Sequence, residues 1–130
     1  MSGPSIVRYM HVGSIATHCD QSIASAKELM AKHAIHHLPV LQGGVPVGIV
    51  SERDILLFES LRVAPVADTP VDRIMKKDPI VAHADDSLAE VAARMVKGKV
   101  DSVVITEHNK VAGMFTSVDA CRALADLAKD

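Results

Sequence analysis

The chain has 130 residues, 14 Lys+Arg against 16 Asp+Glu, and a formal net charge of −2. Apolar residues make up 48%, enough for a real core, which excludes a disordered linker. Aromatics make up only 2% and there is no excess of positive charge. Single strands are held on aromatic platforms and phosphate backbones need a basic footprint, so nucleic acid is not the expected partner.

No segment has the layout of a signal peptide, and no apolar run approaches the ~20 residues of a membrane span. Cys19 and Cys121 lie far apart without CxxC spacing, the pattern of two free thiols in a reducing compartment. A soluble, cytoplasmic protein with no membrane partner is expected.

In chain order, a short apolar strand at 15–17 leads through Asp20 and Ser22 into a helix with apolar positions Ile23, Ala26, Met30 and Ala34. Two β-type runs follow, 38–41 and 45–50, joined at Gln42-Gly43-Gly44. A second helix starts near Ser51, with Ile55, Phe58 and Leu61 apolar. Residues 62–72, carrying Pro65 and Pro70, read as a connector. The series then restarts with a strand at 80–82. Ser87-Leu88-Ala89-Glu90 is a capping box, in which the Ser and Glu side chains satisfy orphan N–H groups. Its helix has Leu88, Val91, Ala92 and Met95 on one stripe. Strands at 103–106 and 111–115 flank His108-Asn109, and a last helix from Thr116 has Val118, Cys121, Leu124 and Leu127 apolar, with Cys121 expected in the core.

The restart is a duplication. At an offset of 65, half of the chain, Arg8 meets Arg73, Met10 meets Met75, Ile15 meets Ile80 and His18 meets His83. The match runs on through Asp20/Asp85, Ser22/Ser87, Ala24/Ala89, Met30/Met95, Lys32/Lys97, Gly48/Gly113 and Asp54/Asp119. Each copy is β-α-β-β-α and too small to cover its own sheet. The fold class is therefore α+β, two such repeats packed with pseudo-two-fold symmetry. The expected boundaries are 1–64, a connector at 65–72, and 73–130.

One motif occurs in both copies: Gly48-Ile49-Val50-Ser51-Glu52-Arg53-Asp54 and Gly113-Met114-Phe115-Thr116-Ser117-Val118-Asp119. A helix N-terminus offers free N–H groups to an anion, and the Ser51 or Thr116 hydroxyl can donate to a phosphate. A carboxylate in the first turn can accept from a ribose diol. The same spacing is also an ordinary helix cap, which duplication would copy equally well.

With Asp20-Gln21-Ser22-Ile23-Ala24-Ser25-Ala26 and His36-His37-Leu38-Pro39-Val40, these motifs make the chain resemble, over residues 5–128, a tandem pair of cystathionine beta-synthase (CBS) domains, the Bateman module. The resemblance implies a regulatory, non-enzymatic fold that binds an adenosine-containing ligand in the cleft between the copies. AMP, ADP or ATP is the expected regulatory ligand, with Mg2+ as a companion of the polyphosphate, and S-adenosylmethionine or a cyclic dinucleotide are alternatives. Ser51 and Asp54, and Thr116 and Asp119, fall on the family's phosphate and ribose positions. Thr17, Ala82, His36, His37, Leu38, Pro39, Ser102 and Val103 fall where it lines the adenine pocket. The family also implies a homodimer, through Leu57, Phe58, Leu124 and Leu127, and a regulated partner protein.

The sequence departs from the family in places. His37 and Ser102 stand where Arg is common, Val104 replaces the second proline, and Arg53 is matched by Val118. A cation beside a polyphosphate stabilises it, so the Ser51/Asp54 site should tolerate more phosphate than the Thr116/Asp119 site. The seven histidines are scattered, and neighbours His36 and His37 point to opposite faces of a strand, so no metal site is expected. No nucleophile elbow or Walker-type loop is present. The rival to a nucleotide sensor is a ligand-free interaction module whose motifs are helix caps alone.

Overall fold

Caps and left-handed turns punctuate the chain, and the computed structural model describes residues 3–129. In chain order the first copy supplies β1 (His11–Val12), β2 (Thr17–His18), α1 (Ile23–His33), β3 (His37–Gln42), β4 (Val45–Ser51) and α2 (Glu52–Leu61). The second supplies β5 (Lys76–Lys77), β6 (Val81–His83), α3 (Leu88–Gly98), β7 (Ser102–Glu107), β8 (Lys110–Thr116) and α4 (Ser117–Ala128). This is the α+β architecture expected, with one short strand per copy, β1 and β5, that the sequence did not announce. Among the described residues no helix is long and apolar enough to cross a membrane.

The hairpin between β3 and β4 turns on Gly43 and Gly44, both at positive φ, as a two-residue turn of matching twist requires. Its counterpart uses His108 and Asn109 at φ 53° and 62°, a conformation Asn tolerates better than most residues. Ser22 starts α1 by accepting the Ser25 N–H at 3.0 Å. Ser87 accepts the Glu90 N–H at 3.1 Å, but the Glu90 carboxylate takes the Ser87 hydroxyl at 3.0 Å and not its N–H. The expected capping box is thus half formed.

The compact units do not follow the sequence copies. One unit is Ile15–Pro79; the other joins the segment up to Ser14 to the chain from Ile80 onward. In the first, the sheet runs β2-β3-β4-β5. β2 lies parallel to β3, with Thr17 beside Val40, and pairs only from that point, past Pro39, which has no N–H to offer a ladder. Ile23, Ala26, Met30, Leu38, Val40, Val50, Ile55 and Val71 form its core. Residues 62–72 are therefore no free connector. Val71 is fully buried, the Thr69 carbonyl accepts the Ile23 N–H at 2.9 Å, and the Gln21 carbonyl accepts the Val71 N–H at 2.7 Å.

The second unit repeats this with the chain's N-terminal segment. Its sheet runs β1-β8-β7-β6. Ile6, the counterpart of Val71, is fully buried beside Val91, Val103, Ile105 and Phe115. The Pro4 carbonyl accepts the Leu88 N–H at 2.9 Å, as Thr69 does for Ile23. Each body is completed by the segment that leads into the other copy.

The last helix corrects the sequence reading. Asp119 and Ala123 are the buried residues of α4, while Val118, Cys121, Leu124 and Leu127 are exposed. Val118, Cys121 and Leu124 lie away from Asp119 and Ala123, and small Ala120 and Ala123 are the residues that meet the core. Cys121 is accordingly a surface thiol. On α2, Leu57 and Leu61 are exposed, whereas Phe58 is half-buried and packs against the core of Ile15–Pro79.

Candidate functional site

Within Ile15–Pro79 the C-terminal end of β4 runs straight into α2, so Ser51 is at once a strand end and a helix cap. Its backbone is extended (φ −111°, ψ 161°) and its hydroxyl accepts the Asp54 N–H at 3.1 Å. The Asp54 carboxylate accepts the Ser51 N–H at 2.9 Å in return. His37 lies across the ladder from Ser51 and is half-buried, while Thr17 is buried on β2. His36 is exposed, with Nδ1 3.3 Å from a Glu52 carboxylate oxygen. Pro39 is buried and Leu38 is fully buried in the core, so only the backbone of Leu38 can face a ligand. Arg53 is exposed in the first turn of α2, and no carboxylate pairs with it among the described residues.

The other unit repeats the placement with different chemistry. Ser102 is buried and lies across from Thr116; Ala82 and Val103 belong to the core. Asp119 accepts the Thr116 N–H at 2.9 Å and the Thr116 hydroxyl at 3.2 Å. It also forms an ion pair with Arg122 at 2.9 Å. The same guanidinium donates to the Tyr9 carbonyl at 2.9 Å, and the Tyr9 hydroxyl donates to Asp126. That hydrogen bond, followed by burial, raises the Tyr9 pKa above the ordinary 10.0. Arg122 and Tyr9 were not singled out from the sequence. The i,i+3 spacing of Asp119 and Arg122 was the available signal.

Sequence-selected residues fall in two sets, one per unit: His36, His37, Ser51, Arg53 and Asp54 at one end of the β3–β4 pair, with Leu38 and Pro39 next along β3 and Thr17 beside Val40, and Ser102, Thr116 and Asp119 at one end of the β7–β8 pair, with Val103 next along β7 and Ala82 beside Ile105. A shallow cleft of about 380 Å³ lies elsewhere in Ile15–Pro79, lined by Asp20, Asp68, Asp72 and Thr69 among others. Its carboxylates repel a phosphate, and none of the sequence-selected residues lines it. Among the described residues no three His, Cys, Asp or Glu side chains converge as a metal site would need.

The model of the CBS domain matches this chain twice, over residues 7–60 and 71–126. The chain belongs to the CBS-domain family. Its two copies are CBS domains in tandem, a regulatory module. It is 32% identical over 110 residues to the L-aspartate semialdehyde sulfurtransferase of Methanocaldococcus jannaschii, covering 83% of this chain and 21% of that enzyme. It is 28% identical over 109 residues to the CBS domain-containing protein YhcV of Bacillus subtilis, covering 84% of this chain and 72% of YhcV. The chain spans about a fifth of the length of the enzymes it matches. Among solved structures, the CBS domain pair of protein MJ0100 in complex with 5′-methylthioadenosine and S-adenosyl-L-methionine superposes with a TM-score of 0.79 at 27% identity, over 95% of this chain and 97% of that one.

Proposed function

We propose that this CBS pair is a cytoplasmic sensor of an adenosine-containing ligand, with AMP, ADP or ATP as the leading candidates, and that it reports occupancy to a partner protein. The observation that carries this reading is the twice-built cluster at the strand-to-helix turn. A hydroxyl and a carboxylate sit in the first turn of a helix, opposite a polar residue, His37 or Ser102, on the adjacent strand. Such a cluster offers N–H groups to a phosphate and acceptors to a ribose diol. The likeness to a pair holding two adenosyl ligands supports the ligand class. Arg53, exposed beside Asp54, favours a ligand with several phosphates there, with Mg2+ as a companion ion. The pair carries no chemistry of its own in this reading; the ligand acts by favouring one conformation over another.

We further propose that the chain works as a homodimer, because Val118, Leu124 and Leu127 are large apolar residues left exposed on α4. A cytoplasmic setting agrees with the free thiols of Cys19 and Cys121.

A second reading is favoured by one observation: Asp54 and Asp119 are already engaged in caps. The chain would then be a ligand-free interaction module. A thermal-shift panel with AMP, ADP, ATP, S-adenosylmethionine and cyclic di-AMP separates the two. A ligand at 100-fold its Kd adds ~2.7 kcal/mol, a rise of several degrees for a chain of this size. The rise should vanish in Asp54→Ala. Absence of any shift in nucleotide-free protein favours the interaction module.

A further inference from the structure

We propose that Arg122 closes the Thr116/Asp119 site to a ribose diol, so that an adenosyl ligand fills the Ser51/Asp54 site first and the second site only when Arg122 is drawn away. This rests on the adenosyl reading above and adds a residue that sets the order of occupancy.

A cis-diol needs two free acceptor positions on one carboxylate. On Asp119, Oδ2 already accepts the Thr116 N–H and the Thr116 hydroxyl, and Oδ1 accepts Arg122. The side chain is 5% exposed, which leaves little room for a second set of donors. The hydroxyl is spent too. Thr116 gives its hydrogen to Asp119, whereas the Ser51 hydroxyl accepts the Asp54 N–H.

The other unit lacks the lock. The position equivalent to Arg122 is Leu57, an exposed apolar residue that cannot pair with Asp54. Among the described residues no lysine or arginine pairs with Asp54 and no carboxylate pairs with Arg53, the cation beside it. Both carboxylates cap a helix, but only Asp119 is also neutralised by a guanidinium from its own helix. That guanidinium is anchored a second time, on the Tyr9 carbonyl, so its displacement by a neutral diol costs two charge-assisted contacts.

Calorimetric titration with AMP tests the order. The wild-type chain should show one strong site, lost in Asp54→Ala. Arg122→Met keeps the aliphatic stem and removes the charge; it should strengthen the second site roughly tenfold or more, since hydrogen bonds to charged groups are of that size. The double variant Asp54→Ala/Arg122→Met should then bind one AMP. The reciprocal change Leu57→Arg lies on an exposed position that tolerates it, and should weaken the first site by a similar factor. It keeps the proposal testable if Arg122→Met does not fold. Two wild-type sites of equal affinity, or no effect of Arg122→Met and Leu57→Arg on either, would overturn the role of Arg122 while leaving the adenosyl reading standing. No AMP, S-adenosylmethionine or 5′-methylthioadenosine binding to any folded variant would sink both.

Discussion

Gly113 leads the second copy of the site motif, yet its reason lies in backbone packing. A Cβ built there would come 2.1 Å from the His11 carbonyl oxygen, where β1 crosses to pair with β8. At Gly48 the Cβ would come 2.4 Å from the Met75 sulfur and 2.9 Å from the Lys76 carbonyl. The two glycines are therefore kept by a strand that approaches too closely for any side chain. Gly113→Ala should cost about 1–3 kcal/mol and Gly48→Ala less, because the Met75 thioether can swing aside and the Lys76 carbonyl is met at 2.9 Å, against 2.1 Å for the His11 carbonyl. Chemical denaturation midpoints check the order; equal midpoints for the two variants would contradict it. The identities that reveal the repeat were legible at this scale, but not what they were for. A glycine at the head of a phosphate-type motif invites a ligand explanation, and only the partner strand exposes the steric one.

Among the elements, strands, helices and turns were largely legible, because apolar alternation and Ser caps are local signals. The face of α4 was not. Val118, Cys121, Leu124 and Leu127 outrank Ala120 and Ala123 in hydropathy, so a stripe read from sequence points the wrong way. Close helix-to-sheet packing selects small residues, and that preference is invisible to a hydrophobicity count. The short strands β1 and β5 escaped for a related reason: two residues give no period to detect. The candidate site was legible in its residue types and register, while Arg122 was missed because its partners, Tyr9 and Asp119, lie 113 and three residues away. Ile6 tests the exchange of segments. Ile6→Ala should cost about 2–5 kcal/mol. In hydrogen exchange the lost protection should fall on 80–129 and spare 15–79. Loss within 15–64 instead would mean that Ile6 supports its own copy.

For the molecule as a whole, the outward stripe of α4 predicts association. Leu124→Glu should lower the mass seen by sedimentation velocity to that of one chain, without changing the unfolding midpoint at high dilution; an unchanged mass would remove the stripe from the interface. The division of the fold makes a separate forecast. The fragment 15–79 carries Val71, the Thr69 carbonyl and β5 with their body, so it should unfold cooperatively, whereas 1–64 lacks all three and should not. A cooperative transition in 1–64 and none in 15–79 would reverse the assignment.

The crossed segments also bear on ancestry. A single copy encodes a body and a leading arm that, in the present fold, belong to different compact units. Two separate half-length chains would each have to lend that arm and borrow one in return, and joining them in one reading frame makes the loan internal. Deleting either half would strip the survivor of its buried arm residue, Ile6 or Val71.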